Sequence, residues 1–514
     1  MEHPGVVWLA RWLEPRADHL RARWLFLRAL GLCFFAAFGA LAAQAHALVG
    51  PTGVLPARNY LETIARARPG LSRLWFAPSV LWLDASDAAI TALVVLGLAG
   101  SLLLFANVAP RAAALACSAL FLSFVSVARD FSFYQSDGML LEAGVFGALL
   151  APSGLRPLLG AHAPPSRVAH ALLLWEWFRV YFESGLAKLA SGEPEWRALT
   201  AMDRYYETGP LPTWLAWWAH QLPHGVHAAT VVFMFVVELP VVVLALAWRR
   251  ARPACFALAT ALQLGIILTA NYAFLNYLVL ALGLLLLDDD VLARLPLHRV
   301  GDGPRRPPRP RWRALAHAAF GAWILYATVA EVAMLGAPKE ASWLGAPARA
   351  LEPFRLANRY QLFAVMTRGR WQLEIQGSRD GETWIAWPAR YAPGDPKRAP
   401  KVFAPYQPRF EWNLWFCSLG AWDECPLAFE AAGRLLQREP HITALFESDP
   451  FAGGPPAKYA RVVRWEYRFT DRETRAATGD WWTRRSLGVW GMTLVREDDG
   501  TVTGVLPEES ITPE

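Results

Sequence analysis

The chain has 514 residues, of which 54% are apolar and 18% charged, with 25 tryptophans and a formal net charge of +6. A charged share below the usual quarter excludes a disordered chain. Five cysteines in this length exclude a disulfide-built mini-domain. The arginines stand in short clusters between apolar runs, not on one basic face, so no nucleic-acid partner is expected and a lipid bilayer is.

In chain order, Leu30–Val49 supplies the roughly 20 apolar residues that cross a bilayer. It is too long for a cleavable signal peptide. Further runs lie between Asp87 and Arg111 and between Arg111 and Arg129. Met139–Ala151 is short, either a fourth span or a re-entrant piece. Val168–Ala190 is apolar in bulk but carries four charges. His227–Trp248 is a span with Glu238 and Pro240 in its middle. The uncharged stretch between Arg252 and Asp288 would be about 52 Å long as one helix, against a hydrocarbon core of ~30 Å. Two passes turning near Asn271 and Tyr272 fit better. Trp312–Leu335 is the last span. Arginines flanking these runs place the N-terminus in the cytoplasm, and about nine spans put the end of the chain outside. The Arg/Pro-rich 301–311 segment reads as a cytoplasmic loop.

From residue 336 no run reaches membrane length. Trp371–Ile375, the Arg379-Asp380-Gly381 turn and Thr383–Tyr391 predict a hairpin. Glu411–Leu419 and Pro426–Gln437 predict helices, and Arg461–Phe469 a further strand. The expected fold is a polytopic α-helical membrane bundle of about nine spans followed by an extracytoplasmic β-rich α+β domain. Its divisions are a cytoplasmic segment over 1–28, a transmembrane domain over 29–335 and an extracytoplasmic domain over 336–514.

Charges inside a span are costly and usually face a protein interior or an aqueous cavity. On a helix over 168–190, Glu176, Arg179 and Glu183 fall within about 60° of one another, in reach of an interlocked ion pair. Lys188 points about 140° away from Glu183. It is either a base or ligand contact in an outward polar cavity, or a lysine that snorkels to the interface. Glu238 is a second candidate for that cavity. Asp137 and Glu142 bracket the short run and either cap it or point into the same cavity. His220, His224 and His227 would share a helix face and could bind a metal, but Pro223 and Gly225 argue against a regular helix. Ordinary interfacial hydrogen bonding is the preferred reading, and no metal or other cofactor is expected. Cys417 and Cys425 either pair locally or stay free. Cys33, Cys117 and Cys255 read as packing residues. No phosphate loop, nucleotide fingerprint, His-Glu-x-x-His or Gly-x-Ser-x-Gly motif occurs.

Several stretches resemble the lipase maturation factor family. They are Gly50–Pro56, Asp137–Gly144, Phe182–Gly192, Trp196–Pro212 with its Tyr206-Glu207 pair, and His220–His227. Tyr360–Thr367, Gly377–Gly381, Tyr391–Asp395, Trp412–Phe416 and Trp481-Trp482 follow in the same order. Ser136 departs from the tryptophan expected there. The resemblance implies a multi-pass membrane protein that assists the folding, assembly or maturation of secreted clients, lipases in the family. It implies a chaperone-like role rather than an enzymatic one, with enzyme activity left open. The compartment would be the endoplasmic reticulum membrane in eukaryotes, or the inner membrane with a periplasmic domain in a bacterium. Ser184–Leu189 followed by Trp196 is also similar, more faintly, to the transmembrane region of vitamin K-dependent γ-carboxylases, where a lysine acts as base. That implies an alternative: a membrane enzyme or lipid- or quinone-binding protein using Lys188.

Overall fold

The computed structural model describes residues 18–294, 311–333, 343 and 345–506. The first 17 residues, the segment 295–310 and the division expected at 335/336 lie outside these. Within the expected cytoplasmic segment, helix is already present from Leu20.

The apolar runs become the principal helices, including those that carry interior charges. These are α1 (Leu20–Val49), α2 (Asp87–Phe105), α3 (Pro110–Val125), α4 (Gln135–Leu150) and α5 (Arg167–Ala190). They continue with α6 (His224–Ala247), α7 (Arg252–Thr269), α8 (Leu275–Leu286) and α9 (Arg311–Ala333). Among the described residues five helices are long and apolar enough to cross a membrane: α1, α2, α6, a helical stretch containing α7, and α9. The stretch expected to turn near Asn271 is indeed broken there, between α7 and α8. Pro240 removes one backbone donor from α6, and the chain answers with a π-turn over Val237–Val241.

Small residues set how closely the helices approach. A Cβ on Gly31 of α1 would lie 2.7 Å from the Phe105 nitrogen at the end of α2, and one on Gly97 would strike the Phe38 ring. Backbones can pack this closely only where side chains are absent.

The helix ends gather at two poles. At one, the Asp289 carboxylate accepts from the amides of Leu20 (3.0 Å) and Arg21 (2.8 Å), Arg249 pairs with Asp18, and Arg23 donates to the carbonyls of Leu159 and Ala163. Asp289 thereby satisfies the first two free amides of α1. At the other pole lie His46, Asp87, Tyr134, Asn271 and the sheet-bearing part of the chain.

That part is built on an antiparallel six-stranded sheet in the order β2-β1-β3-β5-β6, with β4 also on β3. The strands are β1 (Arg370–Ser378), β2 (Ile385–Ala386), β3 (Tyr459–Phe469), β4 (Trp482–Val489), β5 (Thr493–Arg496) and β6 (Val502–Val505). The expected hairpin exists, but its second strand has two residues, because after Trp387 the chain leaves the ladder. Helices α10 (Arg409–Cys417) and α11 (Leu427–Leu436) pack on the sheet, joined by a Cys417–Cys425 disulfide whose Cα atoms are 5.6 Å apart. Val462 and Val463 of β3 are both buried, so this strand is covered on both faces.

Candidate functional site

The charges carried by α5 do not pair with one another. Arg179 donates through one nitrogen to both oxygens of Glu142 on α4, at 2.9 and 2.8 Å. Its other terminal nitrogen reaches the Asn358 carbonyl at 2.7 Å. The Tyr360 hydroxyl donates to the same Glu142 carboxylate, and the Tyr360 amide donates to Glu183 at 2.8 Å. All four side chains are buried. The expected Glu176–Arg179–Glu183 ion pair is therefore corrected. A carboxylate on a neighbouring helix meets the guanidinium with both oxygens, and Glu176, though buried, stays out of the pair.

Lys188 does point to another side of α5, and there it donates to both Glu238 oxygens at 2.9 Å. It neither snorkels to the interface nor opens into a cavity, because it is buried and its charge is met inside the bundle. Gly185 makes the approach possible: a Cβ there would lie 3.0 Å from Glu238 Cβ and Leu239 Cδ2.

Asp137, at the start of α4, faces a residue 272 positions later. Arg409 of α10 donates to its two oxygens at 2.7 and 2.8 Å and to the Phe131 carbonyl at 2.6 Å. Asp137 and Glu142 thus hold the later part of the chain and do not line a shared cavity. Asn271, in the α7–α8 turn, accepts from the amides of Phe403 and Ala404 and donates to the Lys401 carbonyl. Gln44 reaches the Gln407 carbonyl at 2.9 Å. The sheet-bearing part is clamped onto the helices by buried polar contacts.

The histidines behave as hydrogen-bonding residues. His220 ends one short helix and His224 begins α6, so no common helix face forms. His224 and His227 both contact the Asp203 carboxylate, at 3.0 and 2.8 Å. Burial lowers the His220 pKa. Tyr206 is buried with its ring 5.5 Å from His227. Glu207 accepts from the Phe469 amide at 2.6 Å, and burial raises its pKa against the pull of that amide. Arg370 donates to the carbonyls of Gly209 and Pro210, and burial brings its pKa down to about 10.

At this junction lies a cavity of about 830 Å³. Its wall combines Tyr134, Tyr205 and Leu275 from the helical part with Phe363, Trp412 and Trp415 from the later part. Phe133 (73% exposed), Val365 (66%) and Phe416 (48%) form an apolar rim. Among the described residues Asp130 and Glu424 are the charged ones that line it, and no lysine or arginine does. Glu176, Arg179, Lys188 and Glu238 do not reach it. Its size suits a drug-sized ligand or a short chain segment.

Residues 21–294 match the family model of the lipase maturation factor transmembrane domain, and residues 356–491 that of the lipase maturation factor C-terminal domain. The chain belongs to the lipase maturation factor family. It is 30% identical to lipase maturation factor 1 of Bos taurus over 95% of this chain and 92% of that protein. Lipase maturation factor 2 of Homo sapiens is 31% identical, over 90% and 81%. Lipase maturation factor 1 of Homo sapiens is 28% identical, over 96% and 89%. No solved structure matches.

In this family member the site residues missed from sequence are Asp203, Asn271, Tyr360, Arg370 and Arg409. Asp203 and Tyr360 stand inside stretches that carried the resemblance. Arg409 sits one turn before the Trp412–Phe416 stretch, and nothing local marks it as buried.

Proposed function

We propose that this chain is a membrane-embedded maturation factor that holds secreted client proteins, lipases among them, while they fold. The single observation that carries the reading is the junction cavity. Apolar walls, an exposed apolar rim and acidic charge without a lysine or arginine among the described lining residues suit an apolar or basic stretch of unfolded polypeptide and disfavour an anionic lipid headgroup. The names of the relatives point the same way. The alternative of base chemistry at Lys188 is not favoured, since Glu238 meets the ammonium inside the bundle and Lys188 is not among the residues that line the junction cavity.

The topology proposed with this function has nine passes, α1 to α9, a cytoplasmic N-terminus and the sheet-bearing domain outside. Support comes from the alternation of helix ends between two poles, and from Arg21, Arg23, Arg111 and Arg249 at the pole away from the sheet. The divisions proposed are a transmembrane domain to about residue 335 and an extracytoplasmic domain beyond it. The buried pairs Arg179–Glu142, Lys188–Glu238 and Arg409–Asp137 are proposed as clamps that shape the cavity.

The test is a comparison of secreted proteins from cells with the chain, without it, and with Phe133→Glu, Val365→Glu and Phe416→Glu together. A few secreted proteins should fall in the last two, with their transcripts unchanged. An unchanged secreted proteome in cells lacking the chain would overturn the proposal.

A further inference from the structure

Away from the cavity, a second cluster stands on the seam between the helices and the sheet-bearing part. His46 lies in the last turn of α1, Asp87 opens α2, and His441 belongs to the short helix Pro440–Thr443 beyond α11. His46 Nδ1 is 2.8 Å from an Asp87 oxygen, and its Nε2 is 3.1 Å from Thr91 Oγ1. The His46 and His441 rings face each other with centroids 5.1 Å apart and planes 25° apart. One ligand atom from each of the three residues lies within 4.8 Å of the others.

We propose that His46, Asp87 and His441 bind a divalent transition cation of the zinc type, with water in the fourth position. Two imidazoles and one carboxylate are borderline donors that suit zinc and its neighbours, whereas calcium and magnesium take oxygen ligands. At metal–ligand distances of about 2.0–2.2 Å, donor atoms in a tetrahedral shell sit roughly 3.4 Å apart. The His46–Asp87 pair, at 2.8 Å, is a hydrogen bond about 0.6 Å closer than that spacing, so an ion displaces its proton and opens the pair slightly, while His441, an exposed side chain stacked on His46, has to turn and move inward. His46 is held on its other side by Thr91, whose hydroxyl fixes the ring so that Nδ1 faces Asp87. The consequence is a clasp. Two ligands come from membrane helices and the third from the later part, so the ion binds the docked arrangement and stabilises it by mass action. This inference is independent of the client-holding reading.

The full chain, purified in detergent micelles and stripped with a chelator, is titrated with Zn²⁺ by calorimetry and with Co²⁺ by visible absorption. One ion per chain should bind at micromolar concentration or tighter, with the intense visible bands of four-coordinate cobalt and a rise in Tm. His441→Ala and Asp87→Asn should each weaken binding at least tenfold. Because His441 is exposed, the metal-free Tm of His441→Ala should match the parent. His224→Ala, which alters the other histidine cluster, should leave binding intact. Absence of a saturable site would overturn the proposal, as would unchanged affinity in His441→Ala or a loss that follows His224 instead.

Discussion

Arg409 is the residue whose removal should cost this fold most. It is fully buried, as is Asp137, and it donates three hydrogen bonds across the seam. Arg409→Ala leaves the Asp137 carboxylate buried without its counter-ion. Breaking one partner of such a pair costs about 3–5 kcal/mol. At about 1.4 kcal/mol per decade, the folded, docked population should fall by roughly a hundred- to several-thousand-fold. The guanidinium also sits 5.4 Å from the ring centroids of Phe124 and Tyr134, so packing is lost as well. Chemical denaturation of the full chain in detergent micelles, followed by tryptophan fluorescence, reads this loss. The double variant Asp137→Leu/Arg409→Met removes both charges and should recover more than half of it, because an apolar pair of similar volume can replace a buried ion pair. A single variant within about 1 kcal/mol of the parent would refute the reasoning. So would a double variant worse than the sum of the two singles.

The same logic applies inside the bundle. Lys188→Met should destabilise by about 3–5 kcal/mol, while Lys188→Met/Glu238→Leu should recover stability and still support client secretion. Loss of secretion in a stable double variant would return Lys188 to a chemical role. Gly185→Val should also destabilise the chain, since a Cβ there already meets Glu238 Cβ and Leu239 at 3.0 Å; its Tm should drop against that of the parent. Glu411 is buried and accepts from the amides of Arg390 and Tyr391; burial outweighs those amides and raises its pKa above the ordinary 4.5. A raised folded pKa means the folded state holds the proton more tightly. Stability from this group is then full below about pH 4.5 and is lost as pH rises through the folded value. Glu411→Gln should flatten that slope in Tm against pH, and an unchanged slope would count against the assignment.

Much of the helical architecture was legible because charge is expensive in a bilayer, so arginine clusters and apolar runs mark where helices lie. The break between α7 and α8 followed from length alone, and the existence of β3 from its run of β-branched and aromatic residues, though not its burial on both faces. The partners of the buried charges were not legible. The spacing of Glu176, Arg179 and Glu183 suggested a pair along one helix, yet Glu142 on the adjacent helix offers bidentate geometry and Tyr360 completes it. Asp137 and Arg409 are 272 positions apart, and no local pattern links them. The cavity was illegible for the same reason. Its walls come from segments around residues 134, 205, 275, 365 and 415, brought together only by the docking.

The central claim, that the junction cavity holds secreted clients, is tested most directly by a photo-crosslinking residue at Val365 in living cells, with one at Thr501, exposed and outside the cavity lining, as the control. The Val365 probe should form adducts with the same secreted proteins that fall when the chain is absent, and the Thr501 probe should not. Adducts to lipid alone at Val365, while those proteins still depend on the chain, would contradict the claim.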